Sequence, residues 1–312
     1  MCIGIENMGI NELLICKNKT LILTQTDPDT DMMFKAWCLD GYHADIIFKP
    51  QSKFVRGIRR IWTDLFVPGF SMWLGNWKYS IFKYDTVILH ASERTRRLPK
   101  YIHNIKPSMR IIYWYWNPVN EKSLPQLTHD KNIECWSFDI EDCKKYSMKY
   151  NIQYYYSVEH YGAHKNEYDI YFIGHDKGRC EILNALKQNI EKLGIKIRFD
   201  IVHNNEKNIP YEEVQRRISK TNAILEINQA GQIGITLRAM EALFFRKKLI
   251  TNNAHIIQED FYNPNNVFII GKDDMSLLKD FLSQLYDTAA DSFRSKHTID
   301  AWFSNFFIYK GD

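Results

Sequence analysis

The stretch Gln229-Ala-Gly-Gln-Ile-Gly-Ile-Thr-Leu-Arg-Ala-Met-Glu-Ala-Leu243 decides the fold. It lies between two apolar strand candidates, Ala223 to Ile227 and Lys248 to Thr251, and itself carries a helical pattern from Gly234 to Phe245. Gly231 and Gly234 let backbone N–H groups come close to a ligand. The helix start adds orphan N–H donors and the positive end of a helix dipole. That combination suits a diphosphate, placed where open α/β sheets hold their ligands, beyond the carboxyl end of a strand. At about 100° per residue, Leu237, Met240, Leu243 and Phe244 share one broad face, with Thr236 among them. Gly234, Arg238 and Glu241 stack on another. Arg238 there suits phosphate oxygens and Glu241 suits ribose hydroxyls. An ordinary surface Arg–Glu pair has the same spacing, but the glycines before it and the strand after it favour a ligand site.

Outward from this segment, short apolar strands alternate with helical stretches, the pattern of parallel sheets covered by helices. In the first half the strands are expected at Thr20 to Thr24, Ala44 to Lys49, Thr86 to His90, Arg110 to Trp114 and Ile133 to Phe138. Helices are expected at Asp31 to Leu39, Lys53 to Phe66 and Ser92 to Asn104, the last with Ser92 as N-cap. A polar run from Tyr161 to Glu167 reads as a linker. Beyond it come strands at Asp169 to Ile173, Lys196 to Val202, Ala223 to Ile227, Lys248 to Thr251 and Val267 to Ile270. Their helices are expected at Arg179 to Leu193, Tyr211 to Ser219, Gly234 to Phe245 and Met275 to Tyr286. The expectation is an α/β chain of two Rossmann-like domains facing a cleft, residues 1–160 and 161–312.

The 312 residues carry 45% hydrophobic and 25% charged side chains, the balance of a folded chain with room for two cores. The six cysteines form no C-x-x-C pair and no zinc spacing, which fits free thiols in a reducing compartment. No run reaches the roughly 20 apolar residues of a membrane span, and the N-terminus has no signal-peptide pattern. A cytoplasmic location is the expectation. A net charge of +4 is too mild to point to nucleic acid, yet positive charge gathers in two N-terminal clusters. These are Lys53, Arg56, Arg59 and Arg60, and Arg94, Arg96, Arg97 and Lys100.

The run Gly234-Ile-Thr-Leu-Arg-Ala-Met-Glu-Ala-Leu-Phe-Phe-Arg-Lys-Lys-Leu-Ile-Thr-Asn-Asn253 resembles the donor-binding stretch of GT-B glycosyltransferases. In those enzymes a helix glutamate is followed by Ala-Leu, a short turn and an apolar strand. From Tyr168-Asp-Ile-Tyr-Phe-Ile-Gly174 to Phe261-Tyr-Asn-Pro-Asn-Asn266 the chain is similar to small bacterial transferases of surface polysaccharide, such as the lipopolysaccharide core-biosynthesis proteins of the RfaS type. The likeness covers about the last 145 residues.

It implies a GT-B-like fold, with a nucleotide-sugar donor on the C-terminal lobe and a glycolipid or oligosaccharide acceptor on the N-terminal lobe. It places Glu241 in the ribose role, Gly234, Thr236 and Arg238 in the phosphate-facing turn, and Gly174 after the lobe's first strand. The chain departs from the family at Arg246-Lys247-Lys248, where many members carry a Gly before the Lys. Lys177 and Arg179 follow Gly174 and would extend the phosphate site, and Asn228 and Gln229 close a strand beside it.

A transferase that inverts needs a proton acceptor for the attacking hydroxyl. Asp27, His90 and Glu93 follow strand candidates and are the three choices. Asp27-Pro-Asp29 and Asp29-Thr-Asp31 match a D-x-D metal signature in form, but they come too early in the chain for it and read as a turn and helix cap. No metal and no cofactor are expected. Lys53 to Phe66 can form an amphipathic helix, with Phe54, Ile58, Ile61, Trp62 and Leu65 on one face and Lys53, Arg56 and Arg60 on a basic one. Such a helix either packs on the core or rests on the anionic inner-membrane surface. A sugar-nucleotide epimerase or hydrolase on the same fold, and a non-catalytic membrane-surface scaffold, are the alternatives to a transferase.

Overall fold

In the computed structural model the described residues are 8–25, 32–65, 67–128, 132–156, 165–176, 178–203, 206–207, 209–228 and 234–308. They form two compact units, Met1–Ile152 with Phe303–Asp312, and Gln153–Trp302. The passage from one unit to the next thus falls after Ile152 where residue 160 was expected, and the last residues group with the first unit. The cause is aromatic burial. Phe303 packs on Tyr42 with ring centroids 4.9 Å apart, and Phe306 packs on Trp136 at 5.0 Å.

The first unit holds strands β1 (Thr20–Thr24), β2 (His43–Ile46), β3 (Thr86–His90), β4 (Arg110–Tyr115), β5 (Ile133–Ser137) and β6 (Lys149–Tyr150). All pair in parallel, in the order β2-β1-β3-β4-β5-β6. The sequences Thr-Leu-Ile-Leu-Thr of β1 and Thr-Val-Ile-Leu-His of β3 are buried at every position, as central strands covered on both faces must be. The helices are α1 (Ile10–Lys19), α2 (Met32–Leu39), α3 (Lys53–Asp64), α4 (Trp77–Ser80), α5 (Leu98–Ile105) and α6 (Ile140–Tyr146). Neither α1 nor β6 was legible in the apolar pattern. The helix expected from Ser92 begins only at Leu98, because the Ser92 side chain caps a tight turn. Its Oγ accepts from the Arg94 N–H at 3.1 Å, and the Thr95 hydroxyl donates to the His90 carbonyl at 3.0 Å.

The second unit holds β7 (Tyr168–His175), β8 (Ile197–Val202), β9 (Thr221–Glu226), β10 (Lys248–Thr251) and β11 (Val267–Ile269), with α7 (Cys180–Lys192), α8 (Tyr211–Ser219), α9 (Leu237–Phe244) and α10 (Leu278–Ser283). The chain then runs into α11 (Ile299–Ile308). Its sheet is also all parallel, ordered β11-β10-β9-β7-β8. Counted within each unit, the order second, first, third, fourth, fifth recurs. The α/β class with two parallel sheets is therefore as expected. In each sheet the winding reverses beside the first strand, so a ligand crevice belongs at the carboxyl ends of β1 and β3 and of β7 and β9.

The amphipathic helix α3 lies the other way round from a core-facing one. Its buried side carries Arg59 and Thr63, with Val55 and Trp62 against the core. Phe54, Ile58, Ile61 and Leu65 are exposed, Phe54 to 78%. No helix among the described residues is long and apolar enough to cross a membrane. Cys16, Cys38, Cys135, Cys143 and Cys180 are free thiols.

Candidate functional site

Helix α9 starts at the carboxyl end of β9, later than expected, because Thr236 stops short of helical backbone and caps it. The Thr236 Oγ1 accepts from the Arg238 N–H at 3.0 Å. The same hydroxyl donates to Glu226, the last residue of β9, whose other oxygen accepts from Thr251 at the end of β10. Glu226 is buried, and burial raises its carboxyl above the ordinary range. Two threonine hydroxyls on one buried carboxyl thus fasten the helix start to two adjacent strand ends. The sequence reading passed over Glu226. Its signal was a lone acid closing the apolar run Ala-Ile-Leu-Glu-Ile.

Arg238 and Glu241 sit three residues apart on α9 and are paired. Glu241 is 0% exposed, and both its oxygens are engaged, Oε2 by Arg238 and Oε1 by the Tyr211 hydroxyl at 2.5 Å. Tyr211 in turn touches the Tyr155 hydroxyl at 2.7 Å, and Gln215 donates to the hydroxyls of Tyr155 and Tyr156 at 3.2 and 2.7 Å. Burial pushes the Glu241 carboxyl up while the Arg238 guanidinium pulls it down, and the net shift is upward. The carboxyl expected to meet a ribose is thus bonded here to Arg238 and Tyr211. Fully buried, with both oxygens engaged, it holds the Arg238 guanidinium in place. Tyr155, Tyr156, Tyr211 and Gln215 were not singled out from the sequence, although the run Tyr154-Tyr155-Tyr156 was its visible trace.

The remaining donor-side residues divide into three groups. Gly174 ends the regular part of β7, and a Cβ there would meet Arg179 Nη2 at 2.9 Å. The absent side chain lets the Arg179 guanidinium lie across the strand ends, where it donates to the carbonyls of His175, at 3.1 Å, and Ile227. Arg179, expected to extend the phosphate site, thus ties β7 to the exit of β9 at the point where the winding reverses. The Asn228 N–H donates to Asn252 Oδ1 at 2.7 Å, and Asn252 donates back to the Asn228 carbonyl, joining the exits of β9 and β10. Gly234 is buried just before the Thr236 cap. Lys177, Gln229 and Gly231 lie outside the described residues. At the turn after α9, Arg246 takes a left-handed backbone, φ 53°, the conformation that a glycine adopts freely.

Among the proposed bases, Asp27 lies outside the described residues, as do Asp29 and Asp31. Among the described residues no three His, Cys, Asp or Glu side chains gather as a metal site. His90 ends β3 as expected, but its ring is buried, edge-on to Trp37 at 5.3 Å and stacked on Trp116 at 5.4 Å. Among the described residues neither ring nitrogen has a hydrogen-bond partner, and burial pushes its pKa down to about 3. Glu93 is half-exposed, 3.7 Å from Arg94 and 3.9 Å from Lys122. It borders a cavity of about 330 Å³ at the carboxyl edge of the first unit's sheet. Both basic clusters seen in the sequence reach that cavity, Arg59 and Arg60 from α3, and Arg94 and Arg96 from the turn after β3.

No protein-family model and no curated protein sequence matches this chain. Solved structures are similar to it along nearly its whole length. One is the DNA-modifying enzyme β-glucosyltransferase, studied with and without uridine diphosphoglucose, at 14% identity and a TM-score of 0.49, covering 92% of this chain and 98% of that one. Another is an α-glucosyltransferase in complex with UDP and DNA, at 12% identity and the same TM-score and coverage. A third is an α1,3-fucosyltransferase, at 10% identity and a TM-score of 0.44, covering 98% of this chain and 85% of that one.

Proposed function

We propose that the chain is a glycosyltransferase that moves a sugar from a nucleotide-sugar donor onto a surface-glycan acceptor of the lipopolysaccharide-core kind. The observation that carries the donor half is Arg238. It is a guanidinium in the first turn of a helix, at the carboxyl edge of a parallel sheet, held by a fully buried carboxylate. Its other nitrogens make no bond among the described residues. The departing diphosphate gains negative charge as the acceptor hydroxyl attacks the anomeric carbon. A fixed guanidinium and a helix N-terminus stabilise that charge without having to reorganise. The acceptor half rests on the resemblance of residues 168 to 266 to bacterial surface-polysaccharide transferases.

Of the base candidates, His90 is a poor proton acceptor at a pKa of about 3. Glu93 has two cations beside its carboxylate. Asp27, directly after β1, is left as the proposed base, and no metal is given a role. Exposed apolar residues of α3, with Lys53, Arg56 and Arg60 also exposed, support docking on an anionic membrane surface near a lipid-linked acceptor.

Calorimetry with nucleoside diphosphates tests the donor site. Arg238→Gln is expected to weaken binding roughly tenfold or more, the worth of charge-assisted hydrogen bonds. Glu241→Gln should weaken ribose and 2′-deoxyribose nucleotides alike, since it acts through Arg238. A loss confined to the ribose series would return Glu241 to a ribose contact. Failure of the native protein to bind any of the panel, or change of a nucleotide sugar with no acceptor present, would sink the transferase reading. For the membrane contact, the double variant Ile58→Asp/Ile61→Asp should keep its fold and lose co-sedimentation with vesicles containing phosphatidylglycerol. Unchanged sedimentation would remove α3 from that role.

A further inference from the structure

The cavity at the carboxyl edge of the first unit is charged in one direction. Arg59 and Arg60 enter from α3, Arg94 and Arg96 from the turn after β3, and Lys122 from the loop after β4. Among the described residues that line it, only Asp64 and Glu93 oppose these five cations. Asp64 lies 3.4 Å from Arg96, while Glu93 lies 3.7 and 3.9 Å from its two partners, too far for close ion pairs. Arg59 is the decisive residue. It is 7% exposed and borders the cavity, its guanidinium lies 4.0 Å from the Phe48 ring centroid, and among the described residues no carboxylate pairs with it. Burial and the neighbouring Arg94, Arg56 and Arg60 lower its pKa to about 10, so the surroundings resist its charge. A buried guanidinium with no anion, in a space large enough for one, is an incomplete ion pair.

We propose that this cavity seats a phosphate group carried by the acceptor, a phosphomonoester on a glycan or on its lipid anchor. This rests on the transferase reading for the word acceptor, while the anion site stands on the first unit alone. A phosphomonoester carries close to two negative charges near neutral pH and three acceptor oxygens, which suits guanidinium groups arriving from two directions. The loops after β2, β3 and β4 supply Phe48, Glu93, Arg94, Arg96 and Lys122, so the bound group lies where this sheet class holds ligands.

The test is calorimetric titration of the full chain with inorganic phosphate, and then with glucose 6-phosphate. Arg94→Gln and Arg60→Gln are each expected to weaken phosphate roughly tenfold, on the scale of one lost charge-assisted contact. Arg238→Gln should leave phosphate binding at this cavity in place. Arg59→Gln is read only if its thermal unfolding stays cooperative, and the Arg60 and Arg94 variants, at less buried positions, carry the test otherwise. Phosphate binding that survives Arg60→Gln and Arg94→Gln but disappears in Arg238→Gln would overturn the proposal and leave the donor site standing. Phosphate binding lost in the first pair, with nucleotide binding absent altogether, would keep the anion site and sink the transferase. Vesicles of phosphatidylcholine with and without phosphatidic acid separate the sources. Recruitment that needs both phosphatidic acid and Arg94 assigns the phosphate to a lipid, and glucose 6-phosphate binding without recruitment assigns it to a soluble glycan. A short DNA duplex that displaces phosphate at lower concentration than glucose 6-phosphate would overturn the proposal in favour of a nucleic-acid backbone.

Discussion

The two units bury charge in opposite ways. In the second, Arg238 meets Glu241, Tyr211 hydrogen-bonds the same carboxylate, and Glu226 collects two threonine hydroxyls. In the first, Arg59 has an aromatic ring and other arginines for company, and His90 has two tryptophans. The titrations follow. The Arg238 guanidinium is pushed up, with Glu241 as its main support against burial, whereas burial drives Arg59 and His90 down. A closed pair fixes geometry and leaves the remaining Arg238 nitrogens aimed before a ligand arrives. An unpaired buried cation favours whatever anion can reach it. The donor side is thus organised before anything binds, and the basic cavity is left incomplete.

Three substitutions would break or sharpen this contrast. Glu241→Ala strands Arg238 beside a buried tyrosine, and about 3 kcal/mol of stability should be lost in urea unfolding. A loss near zero would mean that the pair is not closed as described. The next effect is on pH dependence. His90 is neutral in the folded chain because its pKa is lowered from 6.5 to about 3. Its contribution to stability is therefore complete above pH 6.5. It falls as the pH drops toward about 3, because the unfolded chain takes up the proton first. His90→Phe should lessen the acid-side loss by about 2 kcal/mol near pH 5 and leave the neutral range little altered. An unchanged acid arm would show that His90 is solvated. The smallest effect carries the opposite sign to the first. Arg59→Met removes an unpaired buried cation and should stabilise the chain by about 1 kcal/mol, more at low salt than at high. Destabilisation by Arg59→Met would indicate that an anion partner is already in place.

Much of the fold was legible because fully buried parallel strands announce themselves as continuous apolar runs. Strands β1, β3 and β10 fall where the sequence put them, and the others within a few residues. The short edge strand β6 and the polar helix α1 carry too little periodicity to be read. Thr236, Arg238 and Glu241 were singled out from the sequence, but the partners that close on Glu241 were not. Helical spacing places residues on a face of their own helix and says nothing of what approaches that face. Glu241 was therefore read as open to a ribose, while Tyr211 from a different helix closes over it. The same limit applied to α3, whose apolar stripe was read as facing either the core or a membrane.

By itself, then, the sequence determined the class of the chain, two successive βα series, and a helix after β9 that carries Arg238 and Glu241 three residues apart. These follow from local rules, because burial on both sheet faces, capping and helical pitch act over a few residues. Only the tertiary structure decided that β1 and β7 lie inside their sheets, that Arg59 faces inward, and that two basic clusters some 35 residues apart share one cavity. Those outcomes depend on which distant segments pack together, and no periodicity in the chain records them.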